Sequence, residues 1–218
     1  FYKPKAIVSG DFYWLNIVDN RLVCAVADCT GHGVPGAFMS LLGYNILENV
    51  IKKPVMTNPA IVLDDLNTEI INRLSKGQKE TVNHGMDISL IFIDKATEML
   101  QFAGAHNPIY IVRQNELIEL KADKMGIGFN KEGKNNFSCQ QFQLKKGDMI
   151  YLFTDGFPDQ VGGPKRKKFF YGPFKELLVS INQLDVEMQR NKLDEIHVQW
   201  QDNKYEQTDD ILIMGIRY

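Results

Sequence analysis

The sequence has few cysteines, no long apolar run and no strong excess of either charge. Its three cysteines, among 218 residues, are odd in number and scattered, which suits a reducing compartment better than a disulfide framework. No apolar stretch reaches the ~18 residues of a membrane-spanning helix, and no signal-peptide pattern opens the chain. The 25 basic and 27 acidic residues nearly balance, which argues against a nucleic-acid partner held through its phosphates.

The chain also lacks internal repeats, low-complexity tracts and long linkers. At ~150 residues per domain, its length allows one large domain or two small ones. Its composition, 44% hydrophobic and 24% charged, is that of an ordinary globular protein. We therefore expect a single domain over residues 1–218. Because the first residue is Phe1 and not Met, we expect it to be the C-terminal part of a longer protein.

Apolar periodicity predicts helices and strands in an order typical of an α+β domain. Residues 5–28 read as a hairpin that turns at Asp19-Asn20. Apolar residues at helical spacing predict four helices: 35–51, one that follows Asn58-Pro59, 171–182 and 185–199. Short apolar or alternating runs predict an antiparallel meander between residues 87 and 155, and a last strand over 211–216. The predicted meander strands are 88–93, 100–103, 109–112, 117–120, 137–144 and 149–153.

Aspartates stand at the ends of several strand-like runs, beside small residues. They are Asp11, Asp28, Asp155 and the pair Asp209-Asp210. Each one alone can be explained as the cap of a turn or a helix. Several carboxylates at one end of a sheet, however, repel each other unless cations lie between them. Oxygen ligands without a His/Cys cluster favour Mg²⁺ or Mn²⁺ over zinc, and two such ions ~3.5–4 Å apart activate a shared water for attack on phosphorus.

A glycine-rich loop offers a competing interpretation. Residues 31–36 match G-x-G-x-x-G between a predicted strand and a predicted helix, as in a dinucleotide-binding site. That site also requires a second parallel strand ending in an acidic residue ~20 positions later, and here another helix follows instead. Asp28 would in addition repel the pyrophosphate. The pattern therefore argues against dinucleotide binding.

Six short blocks, in order along essentially the whole chain, carry a family resemblance: Ser-Gly-Asp-Phe-Tyr-Trp (9–14), Asp-Cys-Thr-Gly-His-Gly-Val-Pro-Gly-Ala-Phe-Met-Ser (28–40), Gly-Met-Asp (85–87), Ala-Gly-Ala-His-Asn-Pro (103–108), Thr-Asp-Gly (154–156) and Asp-Asp-Ile-Leu (209–212). They resemble the PPM superfamily of metal-dependent protein phosphatases. Within it, the chain is similar to the bacterial stage II sporulation protein E-like serine phosphatases, which include regulators of sigma-factor pathways.

The resemblance implies a four-layer α-β-β-α sandwich of two antiparallel sheets flanked by helices, with two Mn²⁺ or Mg²⁺ ions between the sheets. Asp28 is the implied bridge between the ions, and Asp11 binds directly or through water. The implied ligands are Asp11, Asp28, the Cys29 backbone carbonyl, Asp155 and Asp209, with Asp210 as an alternative to Asp209. A water activated by the ions is the implied nucleophile, so no covalent phosphoenzyme is expected.

The chain departs from the better-known eukaryotic branch in two ways. That branch holds the substrate phosphate with an Arg upstream of the first Asp, and residues 1–10 contain no Arg. It also has a proposed general-acid His shortly after the bridging Asp, where this chain has Thr30. His32, two positions further on, is a candidate proton donor, and the alternative is that it orders the loop through a hydrogen bond. The remaining histidines show no metal-ligand spacing and are interpreted as structural: His84, His106 and His197.

A basic run follows the Asp155 strand in a predicted loop. It consists of Lys165, Arg166, Lys167 and Lys168. Such a run is usually a solvated surface. The functional alternative is a mobile flap that attracts the phosphorylated substrate and replaces the missing Arg.

The resemblance therefore implies a metal-dependent protein serine/threonine phosphatase of bacterial signal transduction. Two alternatives stay open, a catalytically silent phosphoprotein-binding module of the same fold and a hydrolase of small phosphoesters. The resemblance implies a phosphorylated protein substrate, such as an anti-sigma-factor antagonist, and an upstream sensor domain in the same chain. It allows a homodimer, and it implies a cytoplasmic location, either free or as the cytoplasmic domain of a membrane-anchored sensor.

Overall fold

The computed structural model describes residues 1–53, 57–74, 84–129 and 136–218. The strands, numbered along the chain, are β1 (Tyr2–Lys3), β2 (Phe12–Val18), β3 (Arg21–Cys29), β4 (Met86–Asp94), β5 (Met99–Ala105), β6 (Ile109–Arg113), β7 (Glu116–Leu120), β8 (Gln140–Gln143), β9 (Met149–Phe153), β10 (Val161–Gly162), β11 (Lys167–Lys168) and β12 (Ile211–Arg217). The helices are α1 (Gly33–Ile51), α2 (Pro59–Leu74), α3 (Gly156–Asp159), α4 (Tyr171–Ile181) and α5 (Val186–Gln201). No helix within these described ranges combines the length and the apolar character needed to cross a bilayer.

Two antiparallel sheets pack face to face between layers of helices. Their strand orders, over the described residues, are β2-β3-β4-β5-β8 and β1-β12-β9-β6-β7. The core between the sheets includes Cys24 and Ile91 from the first sheet and Ile150 and Leu212 from the second. Helices α1 and α2 cover the outer face of the first sheet, and α4 and α5 cover that of the second. The predicted four-layer α-β-β-α sandwich is confirmed.

Strand β3 is buried on both faces, which explains its continuous apolar run. Cys24 and Val26 pack into the core between the sheets, whereas Ala25 and Ala27 pack beneath α1 and α2. A strand covered on both sides needs apolar residues at every position and does not alternate. The first polar side chain after this run is Asp28, which the fold therefore places where the covered part of the strand ends.

Turn-forming and capping residues in the sequence correctly predict where the β2–β3 hairpin turns and where α2 begins. Asp19 and Asn20 turn the β2–β3 hairpin with φ values of 49° and 62°, a left-handed conformation that Asp and Asn tolerate. The Asn58 side chain accepts a hydrogen bond of 3.0 Å from the backbone N–H of Ala60 and so caps α2. The hairpin turn and the start of the second helix are thus confirmed.

The predicted meander over residues 87–155 is wrong. Strands β4, β5 and β8 belong to the first sheet, whereas β6, β7 and β9 belong to the second, so the chain crosses between the sheets three times. Both sheets pack against the same core, and an apolar run does not specify which of them it joins. The predicted strand over 137–144 is also shorter, since β8 spans only Gln140–Gln143.

The segment after β9 carries short elements that periodicity did not predict. Helix α3 begins directly after Asp155, and β10 and β11 form a small separate hairpin. Lys167 and Lys168 form β11, so the predicted loop of the basic run is half strand. Gly163 and Arg166, at φ values of 66° and 48°, provide the left-handed positions of the turn. A pairing of two residues per strand is too short to leave a periodic signal.

Candidate active site

Strand ends from both sheets meet at one end of the sandwich and bring acidic side chains together. Asp28 lies near the end of β3 and pairs across the ladder with Asp87, near the start of β4. Asp155 follows β9, and Asp209 lies just before β12. Within each sheet, antiparallel neighbours place the end of one strand beside the start of the next. Asp28 and Asp87 therefore lie at the same end of the first sheet, and Asp155 and Asp209 at the same end of the second. All four residues line an open cleft of about 400 Å³.

Burial and mutual repulsion dominate the electrostatics of this cleft. Burial, together with the charges of Asp11 and Asp155, raises the pKa of Asp28 to about 10. Burial also raises the pKa of Asp155 to about 6, as do the charges of Asp159 and Asp209, against the opposing effect of a hydrogen bond with Asp28. These acids cannot all ionise at neutral pH unless positive charge lies between them. The cleft therefore favours a bound cation.

Asp11 lies deeper than the cleft lining. It is buried, and its carboxylate accepts a hydrogen bond of 2.7 Å from the Thr154 hydroxyl. Burial and the charges of Asp210 and Asp209 raise the pKa of Asp11 to about 8, against the lowering effect of the Thr154 hydrogen bond. Its own charge raises the pKa of Asp28. Asp11 thus belongs electrostatically to the cluster without lining the cleft.

Asp210 is occupied by backbone contacts. Its two carboxylate oxygens accept hydrogen bonds of 2.7 Å from Lys5 N–H and 2.8 Å from Gly10 N–H. A Cβ on Gly10 would lie 2.5 Å from the carbonyl oxygen of Gly31, so this N-terminal segment packs directly on the loop after β3. Asp210 fixes that packing, whereas its neighbour Asp209 lines the cleft.

The loop after β3 forms one wall of the cleft. The Thr30 hydroxyl donates a 3.0 Å hydrogen bond to the Gly85 carbonyl and accepts one of 3.1 Å from the Gly85 N–H, which ties the loop to the start of β4. Cys29 is buried, and burial together with the charge of Asp28 raises the pKa of its thiol. Because only the thiolate binds metal, the backbone carbonyl of Cys29 is the better candidate ligand. His32 lines the cleft at the N-cap of α1, and its side chain makes no capping hydrogen bond.

Asp87 and His106 are cleft residues that sequence reasoning missed. Nδ1 of His106 lies 2.9 Å from Oδ1 of Asp87, and both residues line the cleft. Burial raises the pKa of Asp87, and the contact with His106 lowers it. The interpretation of His106 as a structural residue did not anticipate its place in the lining of the acidic cleft. Both residues lie in sequence blocks that carry the family resemblance, at 85–87 and 103–108, and this was the signal that could have identified them.

The basic run lies outside the cleft lining, on the β10–β11 hairpin. Its four side chains are exposed, and Lys168 Nζ pairs with Asp159 Oδ2 at 2.7 Å. Asp159 ends α3, the short helix that starts directly after Asp155. The hairpin is thus fastened to the element that carries one of the cleft carboxylates, with Lys165, Arg166 and Lys167 beside it.

The donor set fits a hard divalent cation that keeps part of its water shell. Among the residues that the structure describes, no three His, Cys, Asp or Glu side chains form a ready metal cage. Mg²⁺ does not require one, because it binds through one or two carboxylates and keeps several waters. Asp28, Asp155 and Asp209 offer carboxylate oxygens in the cleft, and the raised pKa of Asp28 marks the charge that a cation would compensate.

Solved structures define the class of this protein. The SiaA PP2C domain of Pseudomonas aeruginosa matches with a TM-score of 0.91 at 29% identity, over 100% of this chain and 84% of that one. The PP2C phosphatase domain of SpoIIE from Bacillus subtilis, with a fragment of its regulatory domain, gives 0.78 at 21% identity over 100% and 61%. RsbX in complex with magnesium shares the fold at a TM-score of 0.67 and 15% identity, over 100% and 93%. The fold is that of a PP2C-type phosphatase domain.

Sequence comparison gives the family. The family model for stage II sporulation protein E (SpoIIE) matches residues 18–218, and the chain belongs to this family. Phosphoserine phosphatase RsbU of Bacillus subtilis (strain 168) is 28% identical over 161 residues, which are 70% of this chain and 44% of RsbU. The chain thus spans less than half the length of that relative. The predicted family is confirmed, and both RsbU and the matched SpoIIE domain are phosphatases by name.

Proposed function

We propose that this chain hydrolyses phosphoserine and phosphothreonine in a phosphorylated protein, within bacterial signal transduction. The observation that carries the proposal is the cleft, where carboxylates from both sheets meet and burial with mutual charge raises the pKa of Asp28 to about 10. The similarity to phosphoserine phosphatase RsbU supports the same reaction. We take residues 1–218 as one phosphatase domain of a longer signalling protein.

Two Mn²⁺ or Mg²⁺ ions are the proposed cofactors. Asp28, Asp155 and Asp209 are the side chains proposed to hold them, with the Cys29 backbone carbonyl, while Asp11 acts through water from its deeper position. Bound ions of this kind neutralise phosphoryl oxygens and lower the pKa of water. Asp210 is proposed to act through the backbone that it holds and not as a ligand.

The shape of the cleft favours a phosphorylated side chain on a protein over a free small phosphoester. Sites for small molecules usually enclose most of the ligand surface within apolar walls. Here the cleft is open, and four carboxylates line it together with loop residues and the apolar side chains of Met86 and Phe129. A phosphoserine displayed on a protein surface reaches such a site without being enclosed.

The partners and location follow from the same proposal. The substrate class is a phosphoprotein such as an anti-sigma-factor antagonist, and the exposed basic hairpin at Lys165–Lys168 is a recruiting surface for it. An upstream sensor domain, a homodimer and a cytoplasmic location complete the proposal. The similarity to phosphoserine phosphatase RsbU, of which this chain matches 44%, supports the phosphoserine substrate, whereas the sensor domain, the homodimer and the location rest on the family resemblance alone.

The test is hydrolysis of a phosphoserine peptide by the purified chain with added Mn²⁺. Unmodified protein should release phosphate, whereas Asp28→Asn and Asp155→Asn should lose at least ~100-fold in kcat/KM. Asp19→Asn is the matched control, because this exposed aspartate turns the far end of the same hairpin and Asn tolerates its φ of 49°. Peptide binding without any turnover would instead establish the silent phosphoprotein-binding module.

A further inference from the structure

His106 is held in the cleft by its backbone as well as by its ring. Its φ is 57°, a left-handed conformation that His, Asn and Asp adopt more readily than other residues with a side chain. Its N–H donates to the Asp123 carbonyl at 2.9 Å, and the next residue, Asn107, donates to the Ala105 carbonyl at 2.7 Å. A Cβ on Gly104 would lie 2.6 Å from the Asn107 carbonyl oxygen, so this tight turn requires glycine there. The turn after β5 therefore fixes where the imidazole stands.

Asp87 determines which ring nitrogen stays available. The 2.9 Å contact joins Nδ1 of His106 to Oδ1 of Asp87, and an ionised carboxylate only accepts hydrogen bonds. Nδ1 therefore carries the hydrogen in this contact, and Nε2 is left for a ligand in the cleft. Asp87 is itself fixed, since it pairs in register with Asp28 across the β3–β4 ladder. An orienting acid, an imidazole and an open cleft form the arrangement of an acid–base catalyst.

We propose that His106 is the catalytic proton donor to the serine oxygen that leaves phosphorus, with Asp87 as its positioning residue. A water oxygen attacks phosphorus as the P–Oγ bond breaks, and His106, protonated at both ring nitrogens for this step, transfers its Nε2 proton to Oγ. The water oxygen becomes the fourth oxygen of inorganic phosphate, and the proton that it releases returns to the ring through solvent. Water and phosphoserine thus yield serine and phosphate, with the ring unchanged. This assignment rests on the proposed hydrolysis.

The same role for His32 has less geometric support. Both histidines line the cleft, but His32 lies at the N-cap of α1 without a capping hydrogen bond. His106, in contrast, has a carboxylate partner and a constrained backbone. A proton donor must be held within hydrogen-bond reach of the leaving atom, and of these two histidines His106 is the one whose ring is held by a contact within the described part of the chain.

The test compares a poor leaving group with a good one. His106→Asn suits it, because Asn tolerates positive φ, and its amide can replace Nδ1 towards Asp87 while removing Nε2. With Mn²⁺ present, the variant should lose ~100-fold or more in kcat/KM on a phosphoserine peptide. It should lose less than ~10-fold on p-nitrophenyl phosphate, whose phenolate leaves without a proton. His32→Asn and His84→Asn are the matched controls, and neither should show this selective loss.

Each outcome decides a different point. Equal losses of His106→Asn on both substrates, or a selective loss in His32→Asn, would overturn the His106 assignment while leaving the phosphatase intact. No turnover of either substrate by unmodified protein would contradict the proposed function itself. A measurement independent of turnover follows the histidine ring resonances of the unmodified, Mg²⁺-loaded protein by NMR as a non-hydrolysable phosphonate analogue of the phosphoserine peptide is added. The His106 ring signals should shift more than those of His84, and unchanged His106 signals would overturn the assignment.

Discussion

The hydroxyl of Thr154 donates a hydrogen bond of 2.7 Å to the carboxylate of Asp11, 143 positions away in the sequence. The same oxygen accepts a hydrogen bond of 3.0 Å from the backbone N–H of Leu212. Asp11 precedes β2 of the first sheet, whereas Thr154 follows β9 and Leu212 lies in β12 of the second. One buried hydroxyl therefore joins the two sheets where the acidic cleft opens.

Replacing this hydroxyl by a methyl group should cost both stability and metal affinity. Thr154→Val keeps the side-chain shape but leaves the Leu212 N–H and one Asp11 oxygen without their partner in a fully buried place. An unsatisfied buried group costs ~1–3 kcal/mol, which is the loss of unfolding free energy expected in urea denaturation. Because the hydrogen bond lowers the pKa of Asp11, its loss raises that pKa further and weakens Mn²⁺ binding.

The matched control is Thr68→Val on the exposed face of α2. The Thr68 hydroxyl donates only to the Asp64 carbonyl within its own helix, and water can replace it there. This variant should stay within ~0.5 kcal/mol of the unmodified protein. Equal losses in the two variants would contradict the role given to the Thr154 contact.

Without a divalent cation, the domain should become less stable as the pH rises from 5 to 8. The folded pKa values of Asp155 and Asp11 are about 6 and about 8, both above the ordinary 3.8. Groups with a raised folded pKa contribute stability below their unfolded pKa, and this contribution is lost as the pH rises through the folded value. Thermal melting in EDTA should therefore show a lower Tm at pH 8 than at pH 5.

Added Mg²⁺ should reverse this trend and raise the Tm most at pH 8, where the ionised acids bind it best. Asp28→Asn removes one of the repelling acids and should flatten the metal-free profile. A metal-free Tm that is equal or higher at pH 8 would show that the cluster does not control the stability of the domain.

Turns and helix caps could be predicted correctly from the sequence, because they depend on only a few neighbouring residues. The Asp19-Asn20 turn and the Asn58 cap follow from what those side chains do to their own backbone. The division of strands between two sheets does not follow, because β5 and β6 have similar apolar runs and join different sheets. That choice depends on long-range pairing, which periodicity does not encode.

The candidate site shows the same division between local and long-range information. The sequence showed aspartates at the ends of predicted strands, and in the structure Asp28 and Asp155, at the ends of β3 and β9, line the same cleft. The contact of His106 with Asp87 depends on the register of β4 and β5, so spacing along the chain did not suggest it. Choosing between Asp209 and Asp210 likewise required the backbone contacts that occupy Asp210.

Gly10→Ala should disturb the cleft through its loop. The added Cβ would lie 2.5 Å from the Gly31 carbonyl oxygen, a backbone atom that cannot move aside without shifting the wall of the cleft. We expect a loss of ~1–3 kcal/mol in unfolding free energy and weaker Mn²⁺ binding, measured by denaturation and calorimetry. Gly172→Ala is the control, because a Cβ there meets nothing within 4 Å and should add up to ~1 kcal/mol through helix propensity. Unchanged Mn²⁺ affinity in Gly10→Ala would contradict the coupling of this segment to the site.

Removing the charge of the basic hairpin should affect a protein substrate more than a small one. Replacing Lys165, Arg166 and Lys167 by Ala leaves the Lys168–Asp159 ion pair, and with it the attachment of the hairpin to α3. Loss of electrostatic attraction should raise KM for a phosphoprotein by ~10-fold or more and leave KM for p-nitrophenyl phosphate nearly unchanged. Steady-state kinetics at low and high salt measure both values. Equal changes for the two substrates would show that the hairpin is only a solvated surface.

Calorimetric titration of Mn²⁺ into the metal-free chain tests the central claim most directly, because it requires neither a substrate nor an activating partner. The unmodified chain and Asp19→Asn should bind two ions, whereas Asp28→Asn, which lacks a carboxylate whose pKa of about 10 marks the cation site, should lose at least ~100-fold in affinity. Equal Mn²⁺ binding by all three proteins, or no binding by the unmodified chain, would contradict the assignment of this cleft as a metal-dependent phosphatase site.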